Sequence, residues 1–443
     1  MGFNCTTTAA ESGSLELLLY LLDLGAPVIP DICSTAALHG HLHILQWAFD
    51  NDLPFDGPTI CHYAAVKGHM HILTWALANG LEMDGQTCEG AVFGGHLDIL
   101  KWARSNGCPW DAITTATAAE YNRLDILKWA RENGCDWDID TCYYAACEGN
   151  LEILQYAREN GAQWNETICS AASQNFLVLK WVRTHGCPWN ENTCSSAAFY
   201  GNLQALQWSY ANGCPWDQYT TTNAASNGHF EILKWAYDNG CPLPTDICNY
   251  AKNLNILQWA RSVGCSWDEW TMAEIASHGT LEMLQWAHEN GCPWNEQTTT
   301  TATRNSRLEI LKWAYSRGCP LSKNICYTAI EANCLSILKW AHENGSEWDC
   351  KAYLKAIEDD RSLQIIKYLK NNGCPCDESV FKAAVFQSQN LFLVKVLLES
   401  GCPISSDIFD RKHGAMKWWI FDYLIEKKVP GSEGLEWEKY CIA

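Results

Sequence analysis

Twenty-four cysteines and thirteen histidines are the residues of this 443-residue sequence best equipped for chemistry. Paired thiols make disulfides, thiols with imidazoles bind zinc, and a thiol beside an imidazole is a nucleophile. Spacing decides among these. Ten cysteines each follow a recurrent glycine: Cys108, Cys135, Cys187, Cys214, Cys241, Cys265, Cys292, Cys319, Cys374 and Cys402. A second column holds Cys33, Cys61, Cys88, Cys142, Cys169, Cys194, Cys248 and Cys326. No Cys-x-x-Cys occurs, and Cys374-Pro375-Cys376 has no His pair nearby, so no metal is expected. Equivalent positions in stacked helices lie about 8–10 Å apart, beyond the roughly 7 Å Cα limit for a disulfide. The columns therefore read as small, buried, reduced thiols in a reducing compartment.

Other chemistry is thinner still. No nucleophile–base pair, phosphate loop or paired carboxylate stands outside the periodic pattern, so no catalytic residue and no cofactor are expected. His41, His69, His96 and His229 recur at one position and on chemistry alone could form a metal or acid–base row. A tryptophan column, Trp110, Trp137, Trp164, Trp189, Trp216, Trp267, Trp294 and Trp348, could stack bases or sugars. Against that, Lys plus Arg is 31 and Asp plus Glu is 51, a net charge of -20. Stacking grooves for nucleic acid normally come with cations. Nucleic acid is therefore not expected as a partner, and packing is the expected role of the tryptophans.

The elements that position these residues repeat. The position closing the motif L-x-I-L-K-W returns sixteen times, from Tyr20 and Trp47 through Trp340, Tyr368, Val396 and Tyr423. Ten of its fifteen gaps are 27 residues, and the others are 24, 25 or 28. A fixed period of this size is the mark of a solenoid, in which each repeat packs only on its neighbours.

Residues 134–161 show one repeat. Asp138 precedes a helical pattern and reads as an N-cap, as do Asp111, Asn165, Asn190, Asp217, Asp268 and Asn295. Cys142, Ala145 and Ala146 fall at i, i+3 and i+4 and form one small-residue face. After the turn Glu148-Gly149-Asn150, Leu151, Ile153, Leu154, Tyr156 and Ala157 make an apolar face, with Glu152, Gln155 and Arg158 as the polar stripe. Gly161 stops the second helix. The expected fold is all-α: a helix-turn-helix repeat solenoid of about sixteen repeats. Residues 1–28 read as an N-terminal capping repeat, 29–404 as the array, and 405–443 as a degenerate last repeat and C-terminal cap. Repeats shortened around Ser173-Gln174-Asn175 and Lys252-Asn253-Leu254 predict local breaks in the superhelix.

The stretch Ala224-Ala225-Ser226-Asn227-Gly228-His229-Phe230-Glu231-Ile232-Leu233-Lys234 resembles the ankyrin repeat. The resemblance runs along nearly the whole chain. It departs from the family in its period of 27 instead of 33, which implies a hairpin finger cut to a short loop. It implies that the recurrent histidine bonds turn backbone. The short, Trp- and Cys-rich form is similar to ankyrin-repeat proteins of giant DNA viruses, some of which end in an F-box-like segment. That likeness implies a viral origin and action in host cytoplasm.

The expected function is a non-catalytic protein–protein interaction scaffold or adaptor. A virion structural or assembly component and a ubiquitin-ligase substrate adaptor stand as alternatives. The partner is an unidentified protein, with the acidity favouring a basic one, and the chain is expected to be a monomer outside any assembly. Candidate partner-binding residues are the variable first-helix slots Tyr121, Tyr143, Tyr144, Phe199, Tyr200 and Asn227. No membrane span is expected, since the longest early apolar run, Leu17–Leu22, is far below ~18 residues. No secretory signal opens the sequence, so an intracellular location is expected. Met1-Gly2-Phe3-Asn4-Cys5-Thr6 formally fits N-myristoylation, but the segment reads better as the first helix of the first repeat.

Overall fold

The computed structural model describes residues 5–24, 26, 31–53, 55–358, 363–405, 407–410, 416–430, 432 and 441–442. Pairs of short antiparallel helices follow one another through these residues. In the repeat 134–161, the first helix is Ile139–Cys147 and the second is Leu151–Glu159. Asp138 caps the first, its carboxylate accepting from the Asp140 N–H at 2.9 Å. Asp84, Asp111, Asn165, Asn190, Asp217 and Asn295 do the same two residues ahead. Gly149 and Gly161 close the two helices at φ +74° and +85°, a region that disfavours any Cβ.

First helices lie against first helices of adjacent repeats. Their contact face is small by composition: Cys142, Ala145 and Ala146 are fully buried, as are Cys194, Ala197 and Ala198. Second helices insert an Ile-Leu-x-x-Ala core, as in Ile153, Leu154 and Ala157. Each such Ile or Leu contributes about 1.5–3 kcal/mol of burial, so the array is held by many equal increments.

The structure divides into two compact bodies, Met1–Leu243 and Pro244–Ala443. In the first, the shortened repeat has a seven-residue helix, Glu166–Ala172, where its neighbours have nine. In the second, the other shortened repeat replaces its first α-helix by a 3-10 turn, Ile247–Tyr250. The first repeat, Cys5–Ser12 and Leu15–Asp23, leaves Leu17, Tyr20 and Leu24 exposed.

Three features of the second body depart from the regular pattern. A π-turn at Ala384–Ser388 ends in Gln389 at φ +50°. A two-residue parallel bridge pairs Met416–Lys417 with Cys441–Ile442, beside the helix Trp418–Glu426. Cys376 and Cys402 form a disulfide with Cα atoms 5.4 Å apart. This corrects the expectation of reduced thiols throughout. Cys376 stands in the loop-tryptophan column, not the post-glycine column, so the 8–10 Å spacing of equivalent positions does not apply to the pair. Met1–Asn4, and the non-consensus stretch Glu436-Trp437-Glu438 of the expected C-terminal cap, lie outside the described residues.

Candidate partner-binding groove

The cysteine columns are spent on packing. Post-glycine thiols donate to the carbonyl of the N-cap residue one repeat earlier: Cys135 to Asp111 at 3.2 Å, Cys187 to Asn165 at 3.2 Å, Cys241 to Asp217 at 3.2 Å. Burial pushes the Cys135, Cys241 and Cys142 thiols up to about 12, so none is a nucleophile near neutral pH. Cys334 is different. Burial opposes its ionisation, but hydrogen bonds from Ser336 and the Ile337 N–H outweigh that and bring the thiol below its ordinary pKa. No group of three or more His, Cys, Asp or Glu among the described residues is placed to hold a metal ion.

The tryptophan column is half-buried and double-sided. On one side each loop ring meets the residue six positions before it. The Arg104, Arg158 and Arg183 guanidinium carbons lie 4.2, 4.4 and 4.1 Å from the centroids of Trp110, Trp164 and Trp189. Tyr210, His288 and His342 stack on Trp216, Trp294 and Trp348 in the same way. On the other side each ring meets the aromatic of the next second helix edge-on, as Trp189 does Trp208 at 5.8 Å. The ladder is an inter-repeat brace, and the packing role expected of it holds.

The recurrent histidines bond backbone, but of the preceding repeat. His41, His69 and His229 reach the carbonyls of Glu11, Leu38 and Phe199 at 3.0, 3.2 and 3.1 Å. Asn150 and Asn202 replace them with the same geometry, to Ala119 and Ser173.

One surface that these uses leave over lies on the first helices of the N-terminal body. Residues 1–243 carry twenty-six Asp and Glu against ten Lys and Arg, so most of the -20 charge sits there. Nine of the ten cations stand on second helices or their caps, and only Lys67 ends a first helix. Exposed aromatics share the acidic face: Phe93, Tyr121, Tyr143, Phe199 and Tyr200.

These surfaces form a groove of about 480 Å³ across four consecutive first helices, Asp31–His39 to Ala112–Glu120. Tyr63, Lys67, Glu89, Phe93, Glu120 and Tyr121 line it. The Phe93 and Tyr121 rings meet edge to face at 4.6 Å. Gly90 and Gly94 bring the two central helices close: a Cβ on Gly90 would stand 2.7 Å from the His62 carbonyl, and one on Gly94 would collide with that of Val66. Burial raises the Glu89 carboxyl, as do Asp111 and Asp84, against the pull of His62.

Of the six candidate residues, Tyr121 lies in this groove. Tyr143, Tyr144, Phe199 and Tyr200 gather farther along: Cys147 first, then burial, then Tyr200 raises the Tyr143 phenol, and the rings of Tyr143–Tyr144 and Phe199–Tyr200 are 5.6 and 5.2 Å apart. Asn227 is half-buried and donates to Asn223 of its own helix at 2.9 Å. Sequence reading missed Glu89 and Phe93. Their slots were nonetheless visible: Glu89 precedes Gly95 by six residues as Tyr143 precedes Gly149, and Phe93 precedes it by two as Phe199 precedes Gly201.

No family model matches the chain, and no curated protein matches it. Among solved structures it is similar to the human ASB11 ankyrin repeat domain, at 20% identity over 41% of this chain and 98% of that one, with a TM-score of 0.34. It is also similar to the maize pentatricopeptide repeat protein PPR10, at 12% identity over 97% of this chain and 84% of that one, TM-score 0.33. PPR10 in complex with an 18-nt psaJ RNA element gives a TM-score of 0.28. These scores are low, and the all-helical repeat architecture is established by the chain's own helices. No helix among the described residues is long and apolar enough to cross a membrane.

Proposed function

We propose that this chain is a non-catalytic protein-binding scaffold whose partner sits on the first helices of the N-terminal body. The observation that carries this reading is the set of exposed aromatics Phe93, Tyr121, Tyr143, Phe199 and Tyr200 on one acidic face. Large rigid side chains are costly to leave in water and are the usual anchors of interfaces. RNA is disfavoured because the cations of this body stand on the other helices and several already brace tryptophans. The finer setting rests on the resemblance to giant-virus ankyrin-repeat proteins: action in host cytoplasm, with a virion component or a ligase adaptor as alternatives. We read the expected C-terminal cap as the helix Trp418–Glu426, which packs on Leu391–Glu399 and buries its own Ile420, Phe421 and Leu424.

The test places a photo-crosslinking phenylalanine analogue at Phe199 in the full chain and identifies the adducts by mass spectrometry. Discrete protein adducts that excess unmodified chain competes away are expected. Adducts only to RNA, or none above a control labelled at the second-helix residue Phe49, sink the reading.

A further inference from the structure

We infer that the groove over Glu89, Phe93 and Tyr121 receives a cationic side chain, arginine or lysine, of the partner polypeptide. This rests on the scaffold reading and adds the chemistry of what is bound. Glu89 is half-buried and forms no hydrogen bond or ion pair with any described residue. A carboxylate removed from water without a counter-ion is unfavourable, and an incoming cation relieves it.

The surroundings suit a cation and little else. Asp84 and Asp111 stand close enough to Glu89 to add negative potential, and Glu120 supplies a second carboxylate to the groove wall. Phe93 and Tyr121 keep 44% and 40% of their surface in water. Ring faces presented beside carboxylates attract guanidinium and ammonium groups, and the attraction grows as the cation loses water. Two local groups oppose, His62 and the exposed Lys67, against the four carboxylates Glu89, Asp84, Asp111 and Glu120. A phosphate backbone would meet the same carboxylates with repulsion. The cavity of about 480 Å³ is roomy enough for a side chain and some of its backbone.

The experiment uses the full chain and a short fluorescein-labelled peptide of alternating arginine and glycine, with lysine and glutamate counterparts, read by fluorescence anisotropy. Binding of the arginine or lysine peptide and none of the glutamate peptide is expected; which cation binds tighter separates the two. Glu89→Gln and Phe93→Ala should each weaken binding about tenfold, while Glu132→Gln, an exposed acid on a second helix, should change it less than about twofold. Both groove variants change surface groups, and unchanged melting confirms their folding. The inference is overturned if the cationic peptides fail to bind, if Glu132→Gln matches the groove variants, or if a single-stranded RNA displaces the peptide. Those results leave the scaffold reading standing wherever crosslinking at Phe199 still captures a protein.

Discussion

The Arg183 guanidinium lies 4.1 Å from the ring centroid of Trp189, and its Nη1 donates to the Cys187 carbonyl at 2.8 Å. One side chain thus bridges the glycine turn, satisfies a carbonyl beyond it and supports a ring that carries the next repeat. Arg131 does the same, donating to Cys135 at 3.0 Å and lying 4.6 Å from the Trp137 centroid. The planar, permanently charged fork matters here, because lysine offers a point charge that cannot both stack and bond.

Replacing Arg183 by alanine should therefore cost about 1–2 kcal/mol, the sum of a stacked cation and a charged hydrogen bond in a half-exposed place. Arg183→Lys should recover less than half of that. Urea denaturation of the two variants, followed by circular dichroism, measures both; a full rescue by lysine would assign the effect to charge alone.

The turn glycines answer to the histidine of the next repeat. Gly201 has φ +76°, and a Cβ there would stand 2.6 Å from the His229 ring. Gly213 has φ +81° but open space around it. Gly201→Ala should lose about 2–3 kcal/mol and Gly213→Ala only about 1 kcal/mol. Adding His229→Ala to Gly201→Ala should return part of the loss, a coupling that a double-mutant cycle reads directly. Equal losses at both glycines, with no coupling, would leave backbone strain as the whole cause.

The buried thiols predict a fragile alkaline limb. Burial raises Cys33 and Cys326 to about 11 and Cys61, Cys135, Cys142, Cys241, Cys248, Cys292, Cys319 and Cys374 to about 12, from an ordinary value of 9.0. The folded state holds these protons where the unfolded state releases them. Their contribution is therefore fully present below pH 9 and is lost as pH rises from 9 towards 11–12. One pH unit into that window each thiol removes roughly 1 kcal/mol. Urea midpoints measured under reducing conditions should be flat from neutrality to about pH 8 and fall steeply by about pH 10. Cys135→Ala and Cys241→Ala should flatten the fall; an unchanged slope in both would place the titration on other groups.

Much of the fold was legible in the sequence because each repeat is nearly self-contained. The N-cap Asp138, the small face Cys142-Ala145-Ala146 and the stop at Gly161 follow from local propensity and period, and all appear where expected. The site was legible only in part. Tyr121 and Phe199 could be picked as variable aromatics in a regular slot, but Asn227 could not be known to bond Asn223, and Glu89 looked like any helix-surface acid.

By itself, then, the sequence determined the helix pairs, their caps, their repeat-by-repeat stacking and the acid excess, since these depend on residues a few positions apart or on counting. Tertiary structure decided which columns meet: Cys376 with Cys402, Arg183 with Trp189, and Tyr63 with Glu89, Phe93 and Tyr121 around one groove. The physical reason is that stacking joins positions in different columns and different repeats, and that register is set by packed backbones and not by any local preference.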